Sequence, residues 1–403
     1  MALISVAEAL ARVLDGVVPL PAETVALADG HRRALAADVA ALRTQPPAAV
    51  SAMDGYAARA ADVAHPPARL QVIGEVAAGR PFDGTVGPGE AARIFTGGVL
   101  PAGADTVVIQ ERTKRDGTCL IVTASSAVGR NVRAAGLDFA QGDVLLRAGR
   151  RLSDRDLALA AAMNHPTLPL RRAPRVALLA TGDELVAPGV LPGPGQIVYS
   201  NGFGLAALAR AEGAQVVDLG IVPDRIDATV RAIDRAAQQR VDVLVTTGGA
   251  SVGDYDLVQP SLAARGMTLS FWKVALRPGR PMMHGALGPM RVLGLPGNPV
   301  SAYVCGFLFL VPLLRRLLGL ADAEVPTEMA TLGRALPGND ERADYLRASL
   351  ARAPDGSLVA TPFEVQDSSM VALLAEADCL LIREPHAPAV PAGSSCTIVK
   401  FDR

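Results

Sequence analysis

The residue pattern predicts an α/β protein with separate all-β parts, and three changes of texture along the 403 residues carry that prediction. From Val25 to Leu152 short β-rich runs are broken by Gly and Pro, an all-β pattern. From Arg175 strand-like and helix-like segments alternate, which implies a doubly wound parallel sheet with right-handed crossovers. Beyond Leu320 short β-like runs return, as expected of a small terminal β domain. At roughly 150 residues per domain this length holds two or three domains. A composition half hydrophobic and one-fifth charged excludes wholesale disorder.

Each element has a local reason. Val6, Leu10, Val13 and Leu14 recur at helical spacing, so Ser5 to Leu14 reads as an amphipathic helix. Leu70–Ile73, Thr106–Ile109 and Leu120–Val122 read as strands, with turns at Arg80-Pro81, Gly87-Pro88-Gly89 and Pro101-Ala102-Gly103. Ser153 with Asp156 three residues on is a capping box that opens a helix ending before Pro166. Arg175 to Ala180 is the continuous apolar run of a strand buried on both faces. A helix capped by Ser200 and Asn201 follows and runs to Gly213. Next come a strand over Gln215–Leu219, a helix over Asp224–Gln238, a strand over Val241–Val245, and strands over Leu269–Leu276 and Arg291–Leu295. In the last part Tyr345–Leu350 and Thr397–Val399 read as strands.

Charge and cysteine usage exclude several function classes. Thirty-nine basic residues against forty acidic give a net charge of −1, without the basic field that non-specific nucleic-acid binding needs. Cys119, Cys305, Cys379 and Cys396 form no C-x-x-C pair, and the five histidines are scattered, which argues against a zinc site or a disulfide framework. The first eight residues lack the basic start and apolar core of a signal peptide. Val300–Leu320 is apolar but broken by Pro312, Arg315 and Arg316, so it reads as a buried helix and not a membrane span. A cytoplasmic protein without membrane or nucleic-acid partners is the expectation. Only Lys114, Lys273 and Lys400 among the basic residues are lysine, so each lysine invites a question.

Open parallel sheets bind ligands beyond the carboxyl ends of their strands, and these ends carry the polar residues. After the first strand of the α/β part comes Thr181-Gly182-Asp183-Glu184, and after the second Gly220 to Asp224. After the third comes Thr247-Gly248-Gly249-Ala250-Ser251-Val252-Gly253-Asp254. Taken singly, Asp224 and Asp254 could be mere N-caps. Three acids on one rim around a glycine-rich loop suggest a phosphorylated ligand held with a divalent cation, and all-oxygen carboxylate ligation of that kind suits Mg²⁺. The loop is neither a Walker A loop nor G-x-G-x-x-G. Lys273, Arg277 and Arg280 crowd a Pro-Gly turn as an oxyanion receptor. Leu295-Pro296-Gly297-Asn298-Pro299-Val300-Ser301 fixes a rigid turn at a helix N-terminus. In the β-rich part, Ser51–Ala57, Arg93–Gly98 and Asn131–Asp138 are by themselves turn signals.

In their order and spacing these strings resemble the MoeA-type molybdopterin molybdenumtransferases, the bacterial relatives of the gephyrin E domain, over essentially the whole chain. The resemblance implies an elongated subunit of four domains. Residues 1–26 and 140–172 would form a helical linking domain, and 27–139 the β-rich domain. Residues 173–325 would be a molybdopterin-binding α/β domain like that of MogA-type adenylyltransferases, and 326–403 a C-terminal β domain. It implies a homodimer whose active site lies where the β-rich domain of one subunit faces the α/β rim of the other. The implied reaction inserts molybdenum from molybdate into adenylylated molybdopterin and releases AMP, with a MogA-type adenylyltransferase as a candidate partner. By motif, Asp54, Glu184, Asp224, Asp254 and Lys273 take catalytic roles. Thr96, Arg133, Asp138, Thr181, Gly248, Gly249, Ser251, Arg277, Arg280, Pro296, Pro299, Arg347 and Ser368 take ligand-binding roles. The family usually has lysine where Arg277 and Arg280 stand, and small or basic residues at the positions of Asp367 and Met370. Two other readings exist, a MogA-like adenylyltransferase and a non-catalytic scaffold. The first leaves the β-domain motifs without a task, and the second predicts loss of the acids that are present.

Overall fold

The computed structural model describes residues 3–248 and 257–401. Its accessible surface is 19236 Å², against about 15,000 Å² for one compact globule of this mass, so the chain is divided into several packed units. Six hydrophobic clusters account for that division.

The α/β unit is built on a six-stranded sheet. Arg175–Thr181 lies second in it, with Gln215–Val222 at the edge on one side and Val243–Thr247 and then Met290–Leu295 on the other, all parallel. The apolar run of the first strand serves two cores. Val176 and Leu178 face the helix Asn201–Ala211 and the long helix beginning at Pro299, whereas Ala177 and Leu179 face the helix Ile226–Gln238. This is the doubly wound arrangement. One strand escaped sequence reading: Met283–Leu287 runs antiparallel beside Met290–Leu295 and joins it to Thr268–Trp272. The sheet is therefore mixed. The strand expected over Leu269–Leu276 is interrupted at Lys273, whose φ of 84° turns the chain, and Leu276–Arg277 resumes as a strand paired with Ala343–Asp344 of the terminal unit.

His284 sits in the antiparallel strand, 1 % exposed, with Nδ1 3.0 Å from the Val292 carbonyl oxygen. Burial pulls its pKa down to about 4. The unfolded chain takes up this proton near pH 6.5 but the folded chain only near 4. His284 thus contributes about 3 kcal/mol that is complete above pH 6.5 and lost as the pH falls through 4. Urea unfolding of His284→Gln should show a shallower stability loss between pH 6.5 and 4 than the parent chain. Equal pH slopes would contradict this.

The helix Pro299–Leu317 is 19 residues long with a mean hydropathy of 1.6, and 83 % of that stretch is packed inside the chain, as its reading as a buried helix anticipates. One wide turn over Gly306–Leu310 carries the Val311 amide back to the Gly306 carbonyl, next to Pro312, which has no amide to donate. The N-terminal helix Val6–Leu14, with Ser5 as N-cap, packs Ala9, Val13 and Leu14 against this core. The strand Ala22–Ala26 pairs antiparallel with Thr167–Arg171. The linking core also takes in Leu35, Val39 and Ala41 from the segment read as β-rich. Its helix Asp154–Ala162 opens on the complete Ser153–Asp156 capping box.

The β-rich unit is a six-stranded mixed sheet running from Gly55–Ala58 to Cys119–Val122 in sequence. In the terminal unit five strands, Thr327–Leu332, Ala343–Arg352, Leu358–Pro362, Cys379–Arg383 and Ser395–Lys400, close on themselves. The closure is the pairing of Ala343–Arg352 with Cys379–Arg383, giving a small barrel without a free edge among these strands.

Candidate ligand cleft at the strand ends

Where the parallel strands end, the chain leaves a cleft of about 590 Å³. Thr181, Thr247 and Pro296 close three strands at its floor, and Glu184, Gly248, Pro299 and Ser301 line it with Tyr199 and Ser369. Gly248 has φ +86°, and a Cβ there would lie 2.6 Å from the Thr181 carbonyl oxygen. Only glycine lets these two strand ends approach so closely.

The Pro296–Pro299 turn is held from both sides. Asn201 Nδ2 donates to the Gly297 carbonyl at 2.7 Å, and Asn298 Nδ2 donates to Ser368 Oγ at 2.9 Å. Asn298 is the N-cap residue, yet its side chain does not cap its own helix. The Val300 amide instead donates to the Ser368 carbonyl at 3.0 Å. With Pro299 in the first turn, the helix N-terminus thus faces the cleft with its positive end, suited to an anion.

Ser368 depends on Arg347, which is 1 % exposed. Its guanidinium donates to the carbonyls of Met370 and Asp367, both at 2.9 Å, and its backbone amide and carbonyl pair with the Gln366 amide group at 3.0 Å each. Arg347 holds the loop that carries Ser368 and Ser369, a positioning role distinct from direct ligand contact. Asp367 Oδ1 accepts from the Ser369 amide and hydroxyl at 2.8 and 2.6 Å, bonds that hold its carboxyl below the ordinary carboxylate range.

On the acidic side, Asp224 caps no helix. Its amide donates to Asp183 Oδ1 at 3.2 Å, the Asp183 amide donates back to Asp224 Oδ2 at 3.4 Å, and Arg225 is the N-cap. Burial first, then repulsion from Asp183 and Glu184, raises the Asp224 pKa against the opposing Asp183 amide bond. Among the described residues no three His, Cys, Asp or Glu side chains gather in a metal-holding group. Asp254 lies outside the described residues, as do Gly249 and Ser251.

The basic cluster divides. Arg277 makes a two-pronged ion pair with Asp344, 2.6 and 2.7 Å, and reaches Asp340 at 3.5 Å, so its fork is already occupied. Arg280 is exposed and adjoins Pro281 of the cleft wall, and no described acid engages it. Lys273 Nζ stands 5.6 Å from the Trp272 ring centroid.

A second group forms in the β-rich unit. Asp54 Oδ1 accepts from both the amide and the hydroxyl of Thr96 at 2.8 Å, which lowers its pKa. The three turn motifs meet through Ser51: its carbonyl accepts from the Gly97 amide, its amide donates to the Gly98 carbonyl, and it pairs with Val132 beside Arg133. Arg133 and Asp138 are exposed nearby in sequence, and the Asp138 amide donates to the Gln45 carbonyl. Among the described residues no hydrogen bond or ion pair joins Asp54, Thr96, Arg133 or Asp138 to the cleft. Tyr199 and Asn201 line the cleft without having been singled out in the sequence as site residues, whereas Asn298, Ser301 and Ser369 lie in strings already read as rim or oxyanion segments. The Ser200-Asn201 helix start and the Gln366–Ser369 string were the signals available.

The fold and cleft define a multidomain ligand-binding protein built on a doubly wound sheet, with its polar residues at the strand ends. Family comparison is specific. The MoeA N-terminal region (domain I and II) matches residues 4–164, the probable molybdopterin binding domain residues 177–316, and the MoeA C-terminal region (domain IV) residues 329–401. A molybdopterin molybdenumtransferase of Haemophilus influenzae is 32% identical over 96% of each chain, and that of Bacillus subtilis 35% identical over 94% of this chain and 90% of its own. A Nostoc molybdopterin molybdenumtransferase is 39% identical over 74% of this chain and 70% of its own. The crystal structure of a molybdopterin biosynthesis MoeA protein from Pyrococcus horikoshii superposes over 100% of both chains with a TM-score of 0.87 at 29% identity. The chain belongs to the MoeA family.

Proposed function

We propose that this protein inserts molybdenum from molybdate into adenylylated molybdopterin and releases AMP, as a cytoplasmic homodimer. The observation that carries this reading is the cleft itself. Its rigid Pro296–Pro299 turn, helix N-terminus and Glu184 face one space in a chain that matches molybdopterin molybdenumtransferases end to end. Molybdate is a tetrahedral dianion, and the free Arg280, Lys273 and the donors around Ser368 and Ser301 offer it several charge-assisted or neutral hydrogen bonds at once. Glu184, Asp224 and Asp254 would hold Mg²⁺. The raised pKa of Asp224 beside Asp183 and Glu184 fits a rim whose carboxylates repel one another and gain from a cation. The ion would neutralise charge on the pyrophosphate that is cleaved. Asp54 and Thr96, with Arg133 and Asp138, would face the cleft of the other subunit.

The test supplies adenylylated molybdopterin, molybdate and Mg²⁺ and follows AMP. Release that requires molybdate supports the reading, and release indifferent to molybdate overturns it. Lys273 is strained, with φ 84° for a non-glycine residue, and is one of only three lysines among the thirty-nine basic residues. If position 273 requires a compact ammonium, Lys273→Arg lowers turnover about tenfold with folding intact. Wild-type turnover would make the lysine incidental.

A further inference from the structure

A basic cavity of about 600 Å³, separate from the strand-end cleft, lies where the linking segments meet the α/β unit, and Arg32, Arg147, Arg150, Arg151 and Arg315 are on its lining. Arg147 and Arg150 are matched by Asp38 and Asp156 at 2.7 and 2.8 Å. Of the remaining three, two share one carboxylate and Arg32 lines the same recess. Glu212, 7 % exposed, takes Arg315 at 2.9 Å on one oxygen and Arg151 on the other. Arg32 stands close enough that its charge, with that of Arg315, acts against the Arg151 cation. Among the described residues the Arg32 guanidinium has no hydrogen bond or ion pair. Other guanidiniums are matched by carboxylates, as in Arg172 with Asp242 and Arg277 with Asp344 and Asp340.

Two cations paired with Glu212 and the exposed Arg32 beside them leave an excess of about +2 over that carboxylate, and like charges so close repel one another. Among the described lining residues the one other acid is the exposed Asp322, which lowers that excess to about +1. Arg32 is also held at φ 62°, a left-handed conformation unfavourable for a side chain of its size. Its amide is fixed on the Leu152 carbonyl at 2.9 Å, and its own carbonyl accepts from Arg151 at 3.5 Å. The backbone is thus constrained while the guanidinium stays free.

We propose that this recess binds a tetrahedral oxyanion through Arg32, Arg151 and Arg315, and that the bound anion ties the linking segments to the α/β unit. Arg32 and Arg151 come from the linking side, and Glu212 and Arg315 from the α/β side, so the anion bridges the two. Phosphate, the phosphate of a nucleotide and molybdate share this chemistry.

Calorimetric titration of the full-length protein with inorganic phosphate, AMP and molybdate, at low ionic strength, tests the site. Phosphate should bind saturably and raise the melting temperature. Arg32→Gln should weaken that binding at least tenfold and abolish the thermal shift, Arg32→Lys should keep affinity within a few fold, and Glu184→Gln in the cleft should leave phosphate affinity unchanged. AMP binding tighter than phosphate at the Arg32-dependent site identifies a nucleotide as the occupant, and molybdate binding tighter than phosphate identifies the metal oxyanion. No saturable phosphate binding, or equal affinity in Arg32→Gln, overturns the proposal. Molybdate-dependent AMP release is read separately and should be unchanged in Arg32→Gln, so failure of the anion site leaves the transferase reading standing.

Discussion

Arg347→Leu is expected to destabilise the terminal barrel by about 3 kcal/mol or more and to release the loop over residues 363–370. The leucine would fill much of the space but leave the Met370 and Asp367 carbonyls without their donors inside the protein, and each buried carbonyl deprived of a partner costs about 1–3 kcal/mol. Hydrogen exchange reads the local part. The Phe363 amide, which donates to the Arg347 carbonyl, and the Met370 amide, which donates to the Asp367 carbonyl, should lose protection together. Arg347→Lys keeps the charge but not the fork, so it should recover part of the stability and little of the loop order. Since the loop ends on Ser368, which accepts from Asn298 and the Val300 amide, AMP release should fall further than the loss of folded protein explains. A variant with a protected loop would show that packing alone, without the guanidinium, shapes this wall of the cleft.

That chain of dependence marks how far the residues could be read without coordinates. The doubly wound unit was legible because its signal is local: one apolar run with helices after it, and polar residues at the strand ends. The antiparallel Met283–Leu287 strand was not. Its His284 and Gly285 break the apolar texture, and only pairing with Met290–Leu295 makes sense of them. Taken singly, Asp224 could have been an N-cap, because an acid precedes a helix there. Its partner is Asp183, 41 positions earlier, which spacing cannot reveal. Arg277 looked like a free receptor for the same reason, since Asp344 lies 67 residues away. Sequence showed which cations and acids were available near the rim. It could not show which of them the fold would set against each other.

The β-rich motifs pose the reverse case: they were legible as strings, and the fold joins them to one another with no hydrogen bond or ion pair to the cleft among the described residues. If Asp54 of one subunit completes the cleft of the other, two dead variants should rescue each other. Asp54→Ala removes the carboxylate held by Thr96, and Glu184→Ala removes one that lines the cleft. Each alone should lower molybdate-dependent AMP release by roughly 100-fold. When both chains are co-expressed and assort at random, half of the dimers are mixed. In a mixed dimer one of the two sites receives both intact residues and the other receives neither. Activity should therefore return to about a quarter of wild type, because half of the dimers carry one good site of two. If Asp54 and Glu184 acted within one chain, every site in the mixed dimer would keep one lesion and no activity would return. The gap between about a quarter and about a hundredth of wild type is wide enough for a single AMP assay to decide. It would decide the same point for Thr96, because the Asp54 carboxylate that Thr96 holds would then be known to act on the partner's cleft.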